Sequence, residues 1–134
     1  MTNEIQYQSD EIIEIAKALA KAQAQMEGAV TDSTNPHFKS KYSSLKSVVK
    51  ALKKPLADNE LAYVQREVTY DGRQYFETML VHSSGQWIKS LSPMNLQFKG
   101  NTMQQYGSAL TYLRRFGLCT ITGLAPADDL TFGS

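Results

Sequence analysis

Residues Asn101 to Gly123 read NTMQQYGSALTYLRRFGLCTITG. Apolar positions recur at Met103, Tyr106, Leu110, Leu113 and Gly117, the spacing of a helix with one face for a core. A polar stripe, Gln104, Ser108, Thr111 and Arg115, follows in steps of four, three and four on another face. Tyr112 and Phe116 mark a third side. Gly107 lies beside the apolar stripe. A helical glycine costs roughly 1 kcal/mol against alanine, so a packing reason is expected for it. Gly117 and Gly123 are the candidate ends. One helix thus offers a core face, a polar face with a cation, and an aromatic pair.

The preceding segment has a different period. In LAYVQREVTY (residues 61–70), Ala62, Val64, Val68 and Tyr70 share a face that Arg66 interrupts. Asp71-Gly72 is a hairpin turn. QYFETMLVH alternates, Ser83-Ser84-Gly85 turns again, and QWIKSL supplies a third strand. This predicts an antiparallel meander with one face free for helices, and hence an α+β single domain with a β-β-β-α core. A helix precedes it near Ser44, with Leu45, Val48, Val49, Leu52 and Leu56 on one face and Pro55 near its end. Lys46, Lys50, Lys53 and Lys54 fall within about 100 degrees of one another on a second face. Such like charges oppose helix formation weakly and suit a bound polyanion, though a solvated lysine face has the same pattern. An alanine-rich first helix is expected from a cap at Ser9 or Asp10 to about Gly28, with Ile12, Ile15, Ala16, Leu19, Ala22 and Met26 on one side. It serves for packing or as a subunit contact.

Between these helices periodicity stops at Ala29 to Ser43, where Asn35-Pro36-His37-Phe38-Lys39-Ser40-Lys41-Tyr42 interleaves aromatics with lysines. Phe38 and Tyr42 could stack on bases while Lys39 and Lys41 meet phosphates, or they could anchor the loop to the core. Lys99 enters the last helix from a second loop.

GSALTYLRRFGL (Gly107 to Leu118) resembles the signature helix of the ERF (essential recombination function) family of phage single-strand annealing proteins. The run Asn35 to Tyr42 resembles that family's other characteristic segment, and Asp128-Asp129 the acidic residues that follow its helix. The resemblance implies pairing of complementary DNA strands without ATP, oligomeric rings, and work in the cytoplasm of a bacterial host. Family members usually continue into a C-terminal region. The resemblance therefore makes this chain a trimmed core and leaves a host single-strand-binding protein as a partner of that region.

Composition agrees with a binding module. The 134 residues suit one domain, and the apolar fraction of 42% is that of a globular chain. Neither a signal sequence nor a run long and apolar enough to span a membrane appears. The net charge of +1 conceals blocks: −4 over residues 1–32, +6 over 33–57, −3 over 58–77, +4 over 78–127 and −2 over 128–134. Alternating blocks point to a local anion-binding surface. There is no phosphate loop, GxSxG, HExxH or CxxC, and the lone Cys119 reads as an inert thiol. Two distant histidines make no metal site, and the tail pair Asp128-Asp129 is a poor basis for a metal-dependent nuclease. No catalytic residue, metal or cofactor is expected.

The expected strand contacts are Lys39, Lys41, Lys46, Lys50, Lys53, Lys99, Gln104, Ser108, Thr111, Arg114 and Arg115. Arg115 is the first choice for phosphate because its stripe is not needed for burial. Arg114 lies on the Met103 side by the helical period, so its stem should pack on the core, its head reaching phosphate or an acid such as Glu77. Tyr112 and Phe116, with the surplus apolar surface of the first helix, predict oligomers. The alternative is a small RNA- or DNA-binding module that uses strand aromatics (Tyr63, Tyr75, Phe76, Trp87) and neither anneals nor forms rings.

Overall fold

A computed structural model of the chain describes residues 4–34, 41–95 and 102–126. In order these form α1 (Ile13–Gln25), β1 (Ser33–Thr34), β2 (Lys41–Tyr42), α2 (Leu45–Asp58), β3 (Leu61–Tyr70), β4 (Arg73–His82), β5 (Trp87–Pro93) and α3 (Thr102–Thr122). β3, β4 and β5 make an antiparallel sheet in that order, and β1 pairs with β2 inside the stretch read as aperiodic. The fold is α+β, a three-stranded meander with helices, as the periodicity predicted.

The hairpin turn sets the register. Asp71 and Gly72 have φ of 52° and 73°, the two positive values that a tight turn matched to strand twist demands. Tyr70 therefore faces Arg73, and counting outward pairs Gln65 with Thr78 and Tyr63 with Leu80. β5 continues these rows with Ser90 and Ile88. This face meets the helices: Leu61, Tyr63, Leu80 and Ile88 are the sheet's share of the main core cluster. The other face carries Ala62, Val64, Arg66, Val68 and Tyr70 on β3. The more apolar side of β3 is thus the one turned away from the core.

Each helix follows its apolar stripe. α1 buries Ile15, Ala18 and Ala22 and leaves Ala16, expected inside, exposed. It begins after Ile12 without a side-chain cap and ends at Gln25, three residues short of Gly28. Ser9, expected as the cap, is used at the sheet edge. Its Oγ accepts from the Trp87 N–H at 3.0 Å and its own N–H donates to the Trp87 carbonyl at 2.9 Å. α2 is capped by Ser44, whose Oγ accepts from the Ser47 N–H at 3.1 Å, and buries Val48, Leu52 and Leu56. Pro55 removes one helical donor but does not stop the helix, which runs on to Asp58.

In α3 the buried residues are Leu113, Gly117, Leu118 and Thr122, all in its second half. Met103, expected on the core face, is exposed, and a Cβ at Gly107 would meet nothing within 4 Å. The close approach is at Gly117 instead, which lies inside the helix and not at its end. A Cβ there would overlap Thr78 Oγ1 and come within 3.2 Å of Gln65 Nε2. Gly123 does end the helix: its φ is +83° and its N–H donates to the Cys119 carbonyl at 3.0 Å.

Gly117→Ala should therefore lower stability by about 1–3 kcal/mol through overpacking, although alanine is the better helix former. Gly107→Ala should raise it by up to about 1 kcal/mol. Urea unfolding of the two variants beside the wild type gives both signs, and a stabilised Gly117→Ala would contradict the packing.

Candidate nucleic-acid interface

The core side of α2 fixes where its lysines go. With Val48, Leu52 and Leu56 inside, Lys46, Lys50, Lys53 and Lys54 are all exposed on the far side. Lys54 pairs with Asp58 at 2.9 Å one turn on. Among the described residues the other three have no acidic partner, so three ammonium groups share one open face.

The two arginines of α3 exchange the structural roles expected of them. Arg114 is exposed rather than packed on the core, and its carbonyl accepts from Gln65 Nε2 at 3.0 Å. Arg115 is the half-buried one. Its Nε donates to the Ser43 carbonyl at 2.6 Å and its guanidinium lies 6.0 Å from the Tyr42 ring centroid. The reason is rotational: with Leu113 and Gly117 on the sheet, residue 115 turns toward the start of α2 and 114 toward solvent. The polar stripe thus includes a residue that the tertiary structure does use.

Arg115 closes onto a polar anchor. Ser43 is buried, and its Oγ donates to the Ala29 carbonyl at 2.9 Å. Asp32 accepts from the Ser44 N–H at 2.8 Å and from the Ser44 hydroxyl at 2.6 Å. These two bonds hold its carboxyl below the usual range. The β1–β2 pair joins Ser33 to Tyr42 and Thr34 to Lys41 beside it. A carboxylate therefore already occupies the amino end of α2.

Gln104 and Ser108 are exposed, and Thr111 donates its hydroxyl to the Gly107 carbonyl at 3.0 Å. Tyr112 and Phe116 are 61% and 45% exposed and stack with centroids 6.1 Å apart and planes 12° apart. Tyr42 is half-buried under Arg115. Phe38, Lys39, Lys99 and Asp128-Asp129 lie outside the described residues, as does the Lys41 side chain. Of the strand aromatics, Tyr63 and Phe76 face the helices; Tyr75 and Trp87 face away.

Glu77 is not a partner of Arg114. It lies on the opposite face of the sheet, 0% exposed, and accepts from Arg66 Nε at 2.9 Å and Tyr70 Oη at 3.2 Å, with Lys89 Nζ at 3.5 Å. Lys89 also donates to Tyr70 Oη at 3.0 Å. Burial pushes the Lys89 pKa down, but the Tyr70 hydroxyl and the Glu77 charge outweigh it and the net shift is upward. This cluster was missed, although counting residues outward from Asp71-Gly72 would have paired Arg66 with Glu77. Among the described residues no group of three or more His, Cys, Asp or Glu could hold a metal ion, and no helix is long and apolar enough to cross a membrane.

Arg115→Ala should cost about 1–3 kcal/mol, since it leaves a part-buried carbonyl without its charged donor, while Arg114→Ala stays within about 0.5 kcal/mol of wild type. Equal melting curves for the two variants would contradict this geometry. The Asp32 bonds carry a pH signature. Because the folded pKa lies below the unfolded value of 3.8, their contribution is complete above that value and is lost as pH falls through the folded one. The gap in melting temperature between wild type and Asp32→Ala should accordingly narrow from about neutral pH to about pH 3. A constant gap would mean that charge plays no part.

No curated protein and no solved structure matches the chain. A family model described as the ERF superfamily matches residues 15–130, a span that takes in the core helices, the meander, the lysine face and all of α3. With that coverage, the chain belongs to the ERF superfamily.

Proposed function

We propose that this protein binds single-stranded DNA and pairs complementary strands without ATP, in homologous recombination of the phage type. The observation that carries the reading is the exposed face of Lys46, Lys50 and Lys53 on α2, without acidic partners among the described residues. Membership of the ERF superfamily supports the annealing step.

In this reading the lysines hold phosphates as point charges. A strand held by its backbone leaves base edges open to a complement, and pairing then needs no nucleotide hydrolysis. Arg114, exposed and planar, is the better phosphate fork on α3, with Thr111 three residues before it on the same side. Arg115 positions α3 against the start of α2. Lys39, Lys99 and the Lys41 side chain lie outside the described residues. They are assigned to phosphate on the sequence alone, and so are Gln104 and Ser108 of α3. Tyr112 and Phe116 present an open stacked pair to bases or to a neighbouring subunit.

Lys46, Lys50 and Lys53 replaced together by Gln should flatten the slope of log affinity against log salt by about 2, at about 0.7 per phosphate contact on a single strand. The mixing of complementary dye-labelled oligonucleotides should show annealing by wild type with no ATP present and slower annealing by the triple variant and by Arg114→Ala. An unchanged slope would assign the lysine face to solvent, and an ATP requirement would remove annealing by positioning alone.

A further inference from the structure

The sheet face turned away from the helices has the composition of a covered surface. An antiparallel sheet with one side in water alternates apolar inward and polar outward. Beyond Leu61 and Tyr63, β3 does the reverse: Gln65, Glu67 and Thr69 point toward the helix side, while Val64, Val68 and Tyr70 point outward, with Arg66 among them. Met79 and Val81 from β4 and Leu91 from β5 extend the apolar surface, and Val64 is 45% exposed. At its centre Glu77 is satisfied by three groups and fully buried, the arrangement that a carboxylate needs where water is excluded. Arg73 adds exposed positive charge on the same face, and the group of Arg66, Lys89 and Glu77 leaves one positive charge in excess, with Arg66 its exposed member.

The complementary surface is on the same chain. α1 turns Ile15, Ala18 and Ala22 into the core, and on its far side Ile13, Ala16, Ala20 and Ala24 form an exposed stripe of small and apolar residues, interrupted by Lys17, which lies 3.9 Å from Glu14. Ile13 is 65% exposed. Asp10, Glu11 and Glu14 are exposed at the leading end of this stripe. Small side chains let a helix lie close on a sheet. At about 20 Å, the 13-residue helix fits along the 10-residue β3 of about 34 Å.

We propose that the open sheet face receives α1 of a second copy of this chain, its acidic end against Arg66 and Arg73. The two surfaces are different, so the contact is heterologous and repeats from copy to copy, giving a ring where the rotation closes and a filament where it does not. This inference does not depend on strand binding.

Sedimentation of the protein without nucleic acid tests it. Val64→Glu spoils the sheet face and Ala20→Glu the helix face. Both sites are exposed, and far-ultraviolet circular dichroism verifies the fold. Wild type should assemble at micromolar concentration, and each variant alone should sediment as the 15.0 kDa monomer. An equal mixture should give a dimer and nothing larger, because each variant keeps one sound face. Should Val64→Glu fail to fold, the reversals Arg73→Glu and Glu14→Lys replace this pair: each alone weakens assembly and the double variant restores it. A monomeric wild type, a variant that assembles like wild type, a mixture that stays monomeric, or an unrestored double reversal would overturn the proposal. So would an oligonucleotide that changes Trp87 emission in the Ala20→Glu monomer and no longer binds Val64→Glu, which would give the face to nucleic acid. The lysine-face salt slope is read separately, so either reading can fail alone.

Discussion

The contact between Gly117 and Thr78 sets the distance between α3 and the sheet, and the rest of the domain is arranged by it. Only a residue without a side chain lets the helix axis come this close to the central strand. Gln65 completes the seal, donating 3.0 Å bonds to both Thr78 Oγ1 and the Arg114 carbonyl, so that one amide ties β3, β4 and α3 together. Once α3 is seated, its rotation follows. Leu113 and Leu118 are driven inward, Arg115 is brought to Ser43 at the start of α2, and Arg114 is left in solvent. The orientation of the lysine face follows from the same core, because α2 turns Val48 and Leu52 into the cluster that holds Leu118 of α3 and so leaves its lysines outward.

Charge is divided between two surfaces with different physics. On the open sheet face the charges of Glu77, Lys89 and Arg66 are largely spent on one another, held under the Tyr70 and Trp87 rings at 5.2 and 5.4 Å from Lys89. Charges of this kind tolerate a dry neighbour and attract a polyanion weakly. On α2 the opposite holds: three ammonium groups repel one another in water and are relieved when phosphates replace their counterions. The domain therefore separates a surface of mutually paired charges from one of like charges. If subunits stack through the first, their lysine faces recur at a fixed interval, which is what a long strand needs in order to be held along its backbone.

The sequence by itself determined the element types and their order. Period-two alternation, a two-residue Asp-Gly turn and helical apolar stripes are local signals, and each acts within a few residues of where it is read. The lysine face was legible for the same reason, since four lysines and five apolar residues on one helix leave a single way to bury it. The family was legible in the wording of α3 itself.

Which side of an element meets which neighbour was decided only by the tertiary structure. Both faces of β3 carry apolar residues, so alternation could not say that Leu61 and Tyr63 go inward while Val64 and Val68 go outward; the seat of α3 on Thr78 made that choice. Gly107 and Gly117 look alike in a helical stripe, but the sheet lies under the second half of the helix, and only Gly117 has a neighbour to admit. Arg114 and Arg115 differ by 100 degrees about the helix axis, less than the width of a face once a second helix is packed beside it. Their roles depended on where α2 begins, a distance of 72 residues along the chain that no local pattern encodes.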